Sequence, residues 1–239
     1  KDIYDGYYNS NPQGLTAVGN TLYFVANDGT NGFELWKSDG TASGTMMVMD
    51  IHSGSSSSYP QELTAIGNTL YFSVDDGTNG YELWRSDGTN SGTMMVKDIY
   101  NGYYSSSPQG LTAVGDTLYF RANDGTNGNE LWKSDGTNSG TVLVNDIYNG
   151  YSSSNPQLLT AVGDALYFRA DDGTNGNELW KYFSVDDGTN GYELWRSDGT
   201  NSGTMMVKDI YNGYYSSNPQ LLTAAVSYTH LRAHETPRH

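Results

Sequence analysis

The side chains best suited to chemistry recur in step. Asp28 and Asn31, Asp76 and Asn79, Asp124 and Asn127, and Asp172 and Asn175 repeat at an interval of 48 residues, each residue of a pair followed by a glycine and the pair by a glutamate. Around the second pair, Asp76, Thr78, Asn79 and Glu82 offer oxygen ligands within seven residues, the ligand type that Ca²⁺ takes. The spacing departs from the D-x-[DN]-x-[DN]-G-x₅-E loop, so each repeat reads as a hairpin turn or as a weak Ca²⁺ site, and no other cofactor is implied. Paired carboxylates also occur, as Asp75 with Asp76 and Asp171 with Asp172, with Glu82 and Glu178 farther on. A glycosidase needs one asymmetric pair in a cleft, whereas these acids return in every repeat and fit turn chemistry. His52 stands where Tyr100, Tyr148 and Tyr211 stand in other repeats, which marks it as a surface loop residue rather than a base. No triad can be assembled, and the chain reads as non-catalytic.

The second candidate is aromatic. Ile99 to Pro108 reads IYNGYYSSSP and returns with variation after Ile147, Ile210 and, in part, Ile3, supplying Tyr100, Tyr103, Tyr104, Tyr148, Tyr151, Tyr211, Tyr214 and Tyr215. Tyrosine presents a large amphipathic surface at little entropic cost, and Ser, Gly and Asn adapt hydrogen bonds, a mixture used in binding loops. The loop therefore reads as a ligand-binding element for glycan or protein. The alternative is that one Tyr per loop tucks under the edge of the fold while the rest are solvated.

The elements that must position these residues follow from residue alternation. Leu22 to Ala26 alternates side by side as a strand, Asn27 to Gly32 carries Asx and Gly turn residues, and Phe33 to Lys37 is the returning strand. Ser38 to Gly44 makes a second turn before a strand over 45–51, and 15–18 adds a fourth strand ahead of Gly19 and Asn20. The spacing thus predicts strands at 15–18, 22–27, 33–37 and 45–51, repeated at plus 48 and plus 96. Pro12, Pro60, Pro108 and Pro156 keep the same step, as do Trp36, Trp84, Trp132 and Trp180. Four short strands per 48 residues, without a helical stripe, predict an all-β, propeller-like array of four-stranded antiparallel blades. Blades are expected at about 14–52, 62–100, 110–148 and 158–211, forming an open arc of about four, with the Trp and Phe series packed between blades. Leu70, Phe72 and Val74 would supply one face, with Tyr71, Leu83 and Trp84 filling gaps between blades.

The period breaks once. Trp195 follows Trp180 by 15 residues, and Tyr182 to Val185 copies Tyr71 to Val74, so 33 residues of the repeat are missing between Lys181 and Tyr182. With no turn residue at the join, two strands are expected to fuse. Lys181 would take the place of Leu70, where burying its charge is costly, so an irregular last blade with Lys181 at the solvent edge or snorkelling is expected. Residues 226–239 belong to no repeat; their first eleven resemble a translated sequencing-library adapter, and they are expected to lie outside the repeat array of 1–225. The chain opens on KDIY, a mid-repeat segment, and is read as a piece of a longer protein.

The segments NDGTNGFELWKSDGT (27–41), GTMMVMDI (44–51) and SSSSYPQELTAIGNTLYF (55–72) resemble the ELWxxDGT repeat proteins of large bacterial secreted or surface proteins. The resemblance covers about residues 1–225 and implies propeller-like β arrays, an extracellular or cell-surface location and further domains in a longer chain. It implies no activity. Where family members often carry Pro-Gly after the Asp-Ile pair, this chain has Tyr100-Asn101-Gly102-Tyr103-Tyr104.

A net charge of -15 repels nucleic-acid phosphate, no apolar run is long enough to insert as a membrane helix, and the absence of Cys excludes a disulfide framework. Two readings remain: a surface module that binds glycan or protein, or a structural spacer. Connections in an up-and-down blade alternate ends. The turn between second and third strands should therefore share a rim with the loop to the next blade, bringing Asp76 to Asn79 together with Tyr100, Tyr103 and Tyr104. Asp87 to Thr89 should lie on the opposite rim.

Overall fold

The computed structural model describes residues 1–182 and the backbone of strands Leu194–Arg196 and Met205–Lys208. It is an all-β, propeller-like open arc. The first blade is β1 (Gln13–Val18), β2 (Thr21–Asn27), β3 (Phe33–Ser38) and β4 (Met46–Met49), in the order β1-β2-β3-β4 and antiparallel throughout. The second is β5 (Gln61–Ile66), β6 (Thr69–Asp75), β7 (Tyr81–Ser86) and β8 (Met94–Lys97); the third is β9 (Gln109–Val114), β10 (Thr117–Asn123), β11 (Asn129–Ser134) and β12 (Val142–Asn145). A fourth sheet holds β13 (Gln157–Val162), β14 (Ala165–Asp171) and β15 (Asn177–Tyr182), while β16 (Leu194–Arg196) pairs with β17 (Met205–Lys208) in a separate two-stranded sheet.

The alternation read from the sequence becomes two buried faces per blade. In the central hairpin Phe72 pairs with Trp84 and Leu70 with Ser86, so Trp84 shares the face of Leu70, Phe72 and Val74. That face packs on Tyr23, Leu35 and Val48 of the first blade. Tyr71 and Leu83, on the other face, meet Leu118, Phe120 and Trp132 of the third. Tyr119 and Leu131 then meet Leu166 and Phe168 of the fourth. Leu70, Leu118 and Leu166 are fully buried in this way, whereas Leu22, at the same place in the first blade, is 37% exposed. A lysine crosses the first interface and an aromatic hydroxyl the second on the far rim: Lys37 Nζ donates to the Gly88 carbonyl (2.8 Å). The Tyr71 hydroxyl lies so close to Gly136 that a Cβ there would come within 2.3 Å of it.

The first strands of successive blades lie side by side on the inner side of the arc. Thr16 Oγ1 donates to the Leu63 carbonyl (3.2 Å), Thr64 to Leu111 (3.3 Å) and Thr112 to Leu159 (3.3 Å). Each first strand carries an irregularity next to its opening Gln, with the following residue in the left-handed region: Gly14 (φ 60), Glu62 (φ 59), Gly110 (φ 67) and Leu158 (φ 58).

Two expectations need correction. The fourth strand was expected over 45–51 but ends at Met49, because the Ile51 N–H leaves the ladder to donate to the Glu34 carboxylate (3.0 Å). Lys181 was expected in the place of Leu70 but pairs across from Tyr167, the register position that Lys37 holds opposite Tyr23. There it is half-buried with Nζ 5.1 Å from the Tyr167 ring, so its stem is covered while its charge faces an aromatic ring. The residues that would continue β15, and 226–239, lie outside the described residues.

Candidate functional site, the tyrosine rim

Each loop to the next blade is built on a buried glutamate. Glu82 is fully buried and its carboxylate accepts four hydrogen bonds: from Ile99 N–H (2.9 Å), Tyr100 N–H (3.3 Å), Ser106 N–H (3.0 Å) and Ser106 Oγ (2.6 Å). Glu34 repeats this with Ile51 and Ser58, and Glu130 with Ile147 and Ser154. Burial pushes the Glu82 carboxyl up to about 7 against the lowering effect of the Ser106 bond, and raises Glu34 and Glu130 for the same first reason. Ser106, itself fully buried, also accepts the Asn123 N–H at its carbonyl (3.0 Å). One serine thereby stitches the second blade to the third. Its neighbour Ser105 accepts the Tyr81 N–H at Oγ (2.9 Å), as Ser57 does for Phe33 and Ser153 for Asn129.

These serines look like flexible loop residues in the sequence, and the glutamates look like hairpin acids. The available signal was that the glutamate of each ELW and a serine two residues before each Pro keep the same 48-residue step, which solvated residues have no reason to do.

With the loop pinned at both ends, its aromatics divide. Tyr100 is half-buried with its ring laid on the turn of the next blade, so that a Cβ on Gly125 (φ 80) would come within 2.4 Å of Cε2. Tyr4 sits in the same way on Gly29 and Tyr148 on Gly173. His52 occupies this seat on Gly77, with Nε2 facing the glycine. It is a seat-filling ring in a loop. Tyr104 stacks on Tyr100 (centroids 4.8 Å apart, planes 25° apart) and Tyr8 on Tyr4 (5.1 Å, 29°). Tyr103, Tyr104 and Tyr151 are 88%, 63% and 85% exposed, with Tyr7 and Tyr8 equally open to solvent. Of the expected ligand-binding set, Tyr100 and Tyr148 are therefore seats, whereas Tyr103, Tyr104 and Tyr151 present free ring faces. Tyr211, Tyr214 and Tyr215 lie outside the described residues.

The hairpin turn shares this rim, as the topology requires. Gly80 faces Ser105 and the Tyr104 backbone, and Gly32 faces Ser56 and Ser57. Within the turn Asp76 Oδ1 accepts from Thr78 N–H (2.8 Å) and Asn79 N–H (2.8 Å), and Asp76 Oδ2 from Asn79 Nδ2 (2.8 Å). Asp28 with Asn31, Asp124 with Asn127 and Asp172 with Asn175 repeat the pattern. Burial raises the Asp28 carboxyl, but the bonds from Asn31 and Thr30 outweigh it and hold it below its ordinary value. The turns thus employ their own carboxylates, and each asparagine aims its amide nitrogen at the aspartate. Glu82, which the sequence groups with Asp76 and Asn79 as an oxygen ligand, points instead into the loop anchor. Among the described residues no three His, Cys, Asp or Glu side chains gather as a metal cluster.

The opposite rim is built from Asp39, Asp87 and Asp135, each accepting from a Thr hydroxyl and N–H two residues on. It carries no tyrosine loop. A third feature, unread in the sequence, lies on the inner side of the arc: a cleft of about 270 Å³ lined by Glu62, Gln109, Gly110, Arg121, Pro156, Gln157 and Leu158.

No protein-family model and no curated protein matches the sequence. Among solved structures the chain is similar to a puromycin hydrolase (TM-score 0.49, 15% identity, 74% of this chain and 27% of that one). It is also similar to the computationally designed Ika8 protein (0.41, 19%, 75% and 48%) and to prolyl oligopeptidase B from Galerina marginata (0.40, 13%, 71% and 24%). The chain spans less than half the length of each, and at these values the likeness is one of fold alone.

Proposed function

We propose that this chain is a non-catalytic module of an extracellular or cell-surface repeat protein of the ELWxxDGT type, and that it binds glycan through its tyrosine rim. The observation that supports this reading is the set of exposed rings, Tyr7, Tyr8, Tyr103, Tyr104 and Tyr151, mounted on one rim over glycine seats. Exposed aromatic faces are costly to leave in water, and a sugar ring covers such a face while its hydroxyls reach the amides and acids of the adjoining turns. Rigid anchoring adds to this. The Glu82 and Ser106 bonds fix the loop before a ligand arrives, which lowers the ordering cost of binding.

A protein partner with a basic surface is the second reading, favoured by the chain's acidic charge. A spacer role would need none of the exposed rings. The test uses the full chain carrying Tyr103→Ser and Tyr104→Ser together, compared with Asp87→Ala on the opposite rim. Retention on immobilised polysaccharide should be lost in the tyrosine variant at unchanged Tm and kept in the other. Equal retention by wild type and tyrosine variant, or equal loss in both variants, would reject the rim as the binding surface.

A further inference from the structure

The repeats differ where the fold does not ask them to. At the opening of the first strand, blades one and three have Gly14 and Gly110, but blade two has Glu62 in the same left-handed conformation. At the matching place on the second strand, blades one and two have Val25 and Ser73, while blades three and four have Arg121 and Arg169. A position that accepts Val and Ser in identical backbone surroundings does not require Arg for folding. Arg121 and Arg169 even leave Nε buried without a hydrogen-bond partner, a cost to folding that the Val and Ser repeats avoid.

These substitutions meet in one place. Glu62 of the second blade, Gln109 and Arg121 of the third, and Pro156, Gln157 and Leu158 of the fourth line the cleft on the inner side of the arc. Two contacts fix its walls. Arg121 Nη2 donates to Gln109 Oε1, which holds the guanidinium in place, and Gly110 N–H donates to Glu62 Oε2 (3.0 Å), which holds the carboxylate. Glu62 Oε1, the Gln109 amide nitrogen and the remaining Arg121 donors keep no protein partner among the described residues. Arg169 performs the matching clamp on Gln157 Oε1. The cleft lies beside Pro156, immediately after the tyrosine loop, so it opens at the same end of the blades as the rim.

We infer that this cleft is a second binding site, for one neutral sugar ring, with Glu62 accepting and Arg121, Gln109 and Gln157 donating to its hydroxyls over an apolar side formed by Pro156 and Leu158. A hydroxyl both donates and accepts, and the cleft offers one acceptor wall facing several donors, with an apolar strip for the C–H face of a pyranose. A carboxylate ligand fits less well, because Glu62 and the net charge of -15 both oppose an anion. The volume of about 270 Å³ falls just below the roughly 300 Å³ at which sites for drug-sized ligands begin, a size for one ring and not for a chain. The inference extends the glycan reading of the rim but rests on a separate set of residues.

The experiment is saturation-transfer NMR of the full chain with methyl α-glucoside, methyl β-galactoside and methyl α-mannoside, each alone, and with acetate. Arg121→Ser and Glu62→Gly are suitable variants because each installs a residue that another blade already carries at that place, so folding is retained. At least one glycoside should bind, with affinity falling at least tenfold in each variant and staying unchanged in the Tyr103→Ser, Tyr104→Ser chain. Absence of binding by all three glycosides would overturn the inference, as would binding indifferent to both variants, or acetate binding that needs Arg121 and not Glu62. Loss of polysaccharide retention in the tyrosine variant with glycoside binding intact would separate failure of one site from failure of the other.

Discussion

Replacing Glu82 with Gln tests the loop anchor through its pH dependence. Glutamate can use its buried site in both protonation states: as a carboxylate it accepts all four bonds, and when protonated at Oε2 it donates to Ser106 Oγ, which turns its own proton toward the Tyr81 carbonyl 3.4 Å away. Glutamine can copy the second state only in part. Its amide nitrogen donates to Ser106 Oγ but faces the Ile99 N–H, which is left buried without an acceptor at a cost of about 1–3 kcal/mol. Because the folded-state value of Glu82, about 7, exceeds its ordinary 4.5, the folded chain holds the proton more tightly. The associated stability is fully present below pH 4.5 and is lost as pH rises to about 7, on the order of 3 kcal/mol for this one group. Glu82→Gln carries no such loss. Thermal melts from pH 5 to pH 8 should therefore show the variant less stable at pH 5 and the gap narrowing as pH rises, with each kcal/mol moving Tm by roughly 2–4 °C. Glu34 and Glu130 shift in the same direction, so they add to the fall of the wild-type curve as pH rises. Asp28, Asp39, Asp87 and Asp135 are held below their ordinary value and act with the opposite sign, losing their contribution only as pH falls below about 3.8. A gap between wild type and Glu82→Gln that stays constant from pH 5 to pH 8 would refute the buried, proton-holding anchor.

Leu158 sits at φ 58, where the equivalent Gly14 and Gly110 are unstrained, so Leu158→Gly should raise stability. Relief of about 1–2 kcal/mol of left-handed strain exceeds the roughly 0.5–1 kcal/mol of added chain entropy, and a lower Tm would contradict the assignment. Gly125→Ala should destabilise by more than Gly102→Ala, since both glycines have positive φ but only the former meets a ring, Tyr100 Cε2 at 2.4 Å. Equal Tm losses in the two variants would show that Tyr100 is not seated there, and near-UV circular dichroism should report the disturbed Tyr100–Tyr104 stack in the first variant alone. Excess Ca²⁺ and a chelator should give the same Tm, because Asp76 and its equivalents already accept three bonds within their own turns; a Ca²⁺-dependent rise would show that the ion displaces those bonds.

The sequence alone determined the local structure, because a 48-residue period of alternating apolar strands and Asx-Gly turns leaves few other ways to bury both faces of a hairpin. The strands of the central hairpin, the antiparallel order and the shared rim of the Asp76 turn and the Tyr100 loop followed from alternation and connectivity. What the tertiary structure decided was the destination of polar groups whose partners lie in other elements. Glu82 sits six residues from Asp76 and reads as part of its turn, yet its partner Ser106 is 24 residues away, and only packing of the loop against the blade shows the pairing. Tyr100 and Tyr103 are the same residue type in one loop, and the glycine of the following blade alone makes one a seat and leaves the other exposed. Glu62 and Arg121, 59 positions apart in the sequence, became neighbours in one cleft because the first strands of successive blades stand side by side. Periodicity fixes what each repeat does with itself; the contacts between repeats depend on how far one blade turns against the next, and no pattern within a single repeat encodes that angle.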